Sequence, residues 1–112
     1  MRKITQKAVE CMRAMKPMRQ GNTVVELYDE GAFLLLHGSR IAQVSVYGTI
    51  HITTADWNTP TTLERLRGVL SYFNTGVTLT KVKGQLYLNG KPWDGSATNV
   101  KQWVIPKPTP TT

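Results

Sequence analysis

A single cysteine, two histidines and seven acidic residues stand among 112 amino acids, and each scarcity removes a class of explanation. Cys11 alone forms no disulfide framework and no cysteine-rich zinc site. No apolar run approaches the roughly 20 residues that span a bilayer. The basic N-terminus is not followed by the apolar stretch of a secretory signal. A cytoplasmic protein with no membrane association is therefore expected. No glycine-rich phosphate loop, HExxH helix or paired zinc-ligand spacing occurs. His37 falls at a strand end and His51 on a solvent face, Cys11 lies on an apolar helical stripe, and the acids are scattered apart from Asp29-Glu30 in a turn. A site built from His37, Arg40 and Asp56 has nothing to support it. The expectation is a protein without a catalytic site, a metal or a cofactor.

Acidic residues are scarce against the 14 lysines and arginines, so the net charge is +7 and the pI about 9.9. Residues 1–20 carry six cations against Glu10, and residues 61–112 carry seven against Glu64 and Asp94. Residues 21–60 carry only Arg40 against Glu26, Asp29, Glu30 and Asp56. A basic balance split into two blocks suits a polyanionic partner, most simply a nucleic-acid backbone. Hydrophobic residues at 40% are enough for one modest core. The chain divides into one domain, 1–105, and a Pro/Thr tail, 106–112, which has nothing to bury and is expected to be disordered.

Hydrophobic periodicity supplies the elements. Ile4, Ala8, Cys11, Met12 and Met15 recur at helical spacing, which predicts a helix over 4–16 closed by Pro17. From Thr23 the period becomes two. Strands are expected at Thr23–Tyr28 and Ala32–His37, then through Ala42, Val44 and Val46, and through Ile50 and Ile52, with turns at Gly31, Gly38 and Gly48.

The stretch ADWNTPTTLERLRGVL, residues 55–70, opens a second helix. Thr61 and Glu64 are spaced as a capping box behind Pro60. Leu63, Leu66, Leu70 and Phe73 form its core stripe, which places Arg65 and Arg67 toward solvent. Capping does not account for Trp57. A tryptophan at such a junction is more often a lid on the core than a contact residue.

Val77–Val82 and Gln85–Leu88 follow as strands around Lys83-Gly84. Asn89-Gly90 then marks a hairpin that continues through Lys91-Pro92-Trp93. A last short strand is expected at Thr98–Ile105. The resulting expectation is an α+β fold with a single antiparallel sheet, a four-stranded meander plus a C-terminal hairpin, and with the N-terminal and internal helices covering one face.

Three blocks, LHGSRIA, TTADWNTPTTLERLRGVL and LYLNGKPWDG, make the chain resemble a family of small proteins of tailed phages and related mobile elements. That family typically shows LHGxxIA, WxTxTTxERL and YLNGKxWDG in this order. The sequence departs from it at Ala55-Asp56-Trp57, where Ala-Gly-Trp is more usual. The resemblance implies a phage setting, in the cytoplasm of an infected cell, and transfers no catalytic residue.

Two partner classes follow. In the first, nucleic acid, DNA or RNA, is bound through a cationic and aromatic face. Arg65, Arg67, Lys81, Lys83 and Lys91 meet phosphates, and Trp57, Tyr87, Trp93 or Trp103 stack on unpaired bases. In the second, the same cations meet an acidic host protein surface in host takeover or anti-defence, with Trp or Tyr as anchors.

Overall fold

A computed structural model describes residues 1–102. Helix α1 spans Lys3–Ala14 and buries Thr5, Ala8, Val9 and Met12. Its covered stripe is thus rotated toward Thr5 and Val9, and Cys11 and Met15 lie at the flank. Met15 closes the helix in the left-handed conformation, and Pro17 cannot extend it.

The expected four-stranded meander is present as β2 (Thr23–Tyr28), β3 (Gly31–Leu36), β4 (Ser39–Ser45) and β5 (Thr49–Ile52). A short strand β1, Met18–Gln20, adds to one edge. The final strand β9, Thr98–Gln102, adds to the other, giving six antiparallel strands in the order β1-β2-β3-β4-β5-β9. Val25, Leu34, Ala42 and Ile52 are cross-strand partners on the face that carries the core. Glu26, Phe33, Gln43 and His51 are partners on the opposite face.

The single-sheet expectation is overturned by β6 (Leu79–Val82), β7 (Gln85–Leu88) and β8 (Lys91–Trp93), which form a separate three-stranded sheet. The strand that follows β5 in the large sheet is β9, so that sheet is not extended by the hairpin. Its one-sided apolar set, Leu79, Leu86 and Trp93, is buried in the common core instead.

Helix α2, Pro60–Tyr72, lies between these layers and touches α1, β4 and β6. The capping-box expectation needs correction. Thr59 is the N-cap, its hydroxyl accepts the Thr62 N–H at 3.2 Å, and Pro60 occupies the first turn. Glu64 reaches across to α1 instead. Its carboxylate accepts the Arg2 N–H at 3.1 Å and the Thr5 hydroxyl, and so caps the helix whose own N-cap side chain makes no such bond. The crossing is close because residue 68 is glycine, where a Cβ would overlap the Thr5 methyl.

Candidate nucleic-acid interface

Residues 53–58 decide how Trp57 is presented. The Thr53 hydroxyl donates to Gly95 O at 2.7 Å and accepts the Ala55 N–H at 3.1 Å. Ala55 and Asp56 are both left-handed, at φ 50° and 67°, and the Trp57 N–H closes the turn on Thr54 O at 2.8 Å. Two consecutive left-handed residues reverse the chain, so Thr54 is buried while Trp57 is 48% exposed. The lid reading of Trp57 therefore fails. Its ring lies 6.0 Å from that of His37, which is also exposed.

Cations gather beside this turn through the edge strand β6. Lys81 Nζ donates to Asn58 O at 3.3 Å, which sets an exposed ammonium next to the Trp57 turn. Arg67 Nε donates to Leu79 O at 2.8 Å, fixing an exposed guanidinium on the same strand. Lys83, in the β6–β7 turn, and Lys91, at the start of β8, are exposed further along this sheet.

Three sequence-based placements change. Arg65 is 4% exposed and not solvent-facing. It donates to Thr5 Oγ1 at 3.0 Å, to Thr23 Oγ1 at 3.3 Å and to Glu64, because α1 covers the flank of α2 that helical periodicity assigned to water. Trp93 is 7% exposed, its indole N–H held by Thr98 Oγ1 at 2.9 Å and Ser96 O at 3.2 Å, so it offers no stacking face. Tyr87 is half-buried and pairs across the sheet with Thr80 and Pro92, whereas Lys81 pairs with Leu86 and Leu86 with Trp93. The pleat thus sends Tyr87 and Lys81 to opposite faces. Trp103 and the Pro/Thr tail lie outside the described residues.

The electrostatics favour anions. Among the described residues two ion pairs form, Arg40–Glu26 and Arg65–Glu64. Arg67, Lys81, Lys83 and Lys91 belong to neither, nor do the exposed Lys3, Lys7, Arg13 and Lys16 of the N-terminal block. Burial pushes the Glu64 carboxyl up, but the Thr5 hydroxyl, the Arg2 N–H and Arg65 outweigh it and hold the group below its usual value. No cluster of three or more His, Cys, Asp or Glu suited to a metal occurs among the described residues. No helix there is long and apolar enough to cross a membrane.

The Kyanoviridae Gp96 protein model matches residues 1–105, which include every element described above. The chain belongs to this phage protein family. Neither a curated protein nor a solved structure matches it. Membership supports the resemblance to phage proteins.

Proposed function

We propose that this Kyanoviridae Gp96 family member is a small, non-enzymatic accessory protein that binds single-stranded nucleic acid in the cytoplasm of the infected cell. One observation carries the reading. The Lys81–Asn58 contact ties the turn that carries the exposed Trp57 to strand β6, which carries Lys81 and whose Leu79 carbonyl holds Arg67. An aromatic face flanked by ammonium and guanidinium groups is what sequence-tolerant binding of unpaired bases needs. Trp57 stacks on a base, Arg67 and Lys81 hold neighbouring phosphates, and Lys83 and Lys91 extend the cationic track.

The test is a titration of labelled oligo(dT) and oligo(U) at several salt concentrations. Trp57→Ala weakens binding by about 1–3 kcal/mol, the contribution of one base–aromatic stack. Lys81→Ala flattens the log–log salt dependence by about 0.7, the increment for one phosphate on a single strand. Unchanged affinity in Trp57→Ala together with an unchanged slope in Lys81→Ala would remove this face as the binding surface. The alternative reading, an inhibitor of an acidic host protein, is supported by a different part of the surface.

A further inference from the structure

At the end of the molecule where α1 and α2 both terminate, the structure contains an open cleft of about 430 Å³. Met12 from α1 and Met15 just after it, Val44 and Ile50 from β4 and β5, and Phe73 just after α2 give it an apolar floor. Lys101 forms part of the wall and donates to Phe73 O at 3.0 Å and Asn74 O at 3.3 Å, bonding the end of α2 to β9. Arg13 lines the rim, exposed and in no ion pair, with its guanidinium 6.0 Å from the centre of the Tyr72 ring. Among the described residues no carboxylate lines the cleft.

The apolar surface continues outward. Val46 also lines the cleft and is 49% exposed, and the neighbouring Tyr47 is 55% exposed in the β4–β5 turn. That turn is held in shape, since the N–H groups of Tyr47 and Thr49 both donate to Ser45 Oγ at 3.1 Å. Methionine, phenylalanine, tyrosine and arginine, with no acid among the described lining, are the residue types enriched in protein–protein interface cores. A rigid rim also lowers the entropy cost of association.

We propose that this cleft docks an acidic, amphipathic segment of a partner protein, with Leu or Phe side chains entering the floor and a carboxylate meeting Arg13. The charge favours this occupant over a second copy of the chain, because both copies would carry net +7 and bring Arg13 against like charge. It favours it over nucleic acid because Met12, Met15, Val44 and Ile50 make the recessed floor mostly aliphatic, which suits Leu side chains better than stacked bases. The proposal is independent of the nucleic-acid reading and uses none of its residues.

The probe is a fluorescently labelled synthetic helical peptide with Leu at i and i+4 and Glu at i+7. Control peptides replace Glu by Lys, or both Leu by Ser. Binding is followed by anisotropy, and the contact surface by amide chemical shifts of the isotope-labelled protein. The Leu/Glu peptide is expected to bind, with shifts at Val46, Gly48 and Asn74. Both controls and the variants Arg13→Glu and Tyr47→Ser should each bind about tenfold more weakly, a loss of roughly 1.4 kcal/mol. The Lys peptide should recover affinity for Arg13→Glu. Val46→Asp, at a third exposed position, should also weaken the complex. Equal binding of the Glu and Lys peptides, unaffected affinity in all three variants, shifts centred on Trp57 and Lys81, or no binding by any peptide would each overturn the proposal. So would a concentration-dependent dimer that occludes the cleft.

Discussion

Arg65 donates through Nη1 to the Thr5 hydroxyl at 3.0 Å, joining the second turn of α2 to the first turn of α1. The same guanidinium reaches Thr23 at the start of β2 and pairs with Glu64. One arginine therefore ties both helices to the large sheet. Every buried side-chain polar atom among the described residues has a partner, and removing Arg65 would orphan part of this set. Arg65→Ala is expected to cost about 2–3 kcal/mol, as charged hydrogen bonds and the packing of its stem are lost. Arg67→Ala, which gives up one carbonyl bond at an exposed position, should cost less than about 1 kcal/mol. Urea denaturation of the two variants checks the contrast. It also determines which arginine can be replaced in a binding experiment without disturbing the fold.

Acid should loosen the helix pair. Glu64 titrates below its usual value of 4.5 in the folded protein, so its ionised form favours folding. That contribution is fully present above the unfolded value and is lost as pH falls through the folded one. Thermal melts from neutral pH to below pH 4 should show stability falling in the acid limb. Glu64→Gln should lower stability at neutral pH and flatten that limb. Asp94, whose carboxyl also lies below its usual value because it accepts from the Ser96 hydroxyl and N–H, should add to that limb in the same direction.

Gly68→Ala tests the helix crossing. Alanine is normally the better helix former by roughly 1 kcal/mol. Here its methyl would meet the Thr5 side chain in a packed interface, and overpacking costs about 1–3 kcal/mol. A net loss of stability is expected. Pairing Gly68→Ala with Thr5→Ser, which removes the obstructing methyl and keeps the hydroxyl for Arg65, should restore part of it. A melting temperature at or above the parent's in Gly68→Ala alone would refute the close approach.

Asp56 adopts φ 67°, a conformation that glycine enters freely and β-branched residues resist. Asp56→Gly should leave stability unchanged within about 1 kcal/mol, because relief of the left-handed conformation opposes the added freedom of the unfolded chain. Asp56→Val should cost roughly 1–2 kcal/mol. Asp56→Val should also change tryptophan fluorescence through Trp57, whereas the buried Trp93 remains in place.

Much of the chain could be read locally. The period-two stretches between glycine corners mark β2 through β5, and Asn89-Gly90 marks the turn between β7 and β8. The leucine stripe of α2 is buried as its spacing implies. These features depend on neighbours in sequence, through turn geometry and the alternation of faces along one element. The tertiary structure alone decided what covers each face. Arg65 looked solvent-facing because periodicity describes one helix, and the covering group is Thr5 on another. The C-terminal hairpin formed a second sheet, and β9, not the hairpin, paired with β5. Trp57 and Trp93 exchanged their expected roles, one lifted outward by two left-handed residues and the other held by Thr98 and Ser96. The candidate interface likewise depends on Lys81 meeting Asn58, a contact between segments whose spacing in the sequence carries no signal. Burial and juxtaposition are set by long-range packing, which local sequence patterns do not encode.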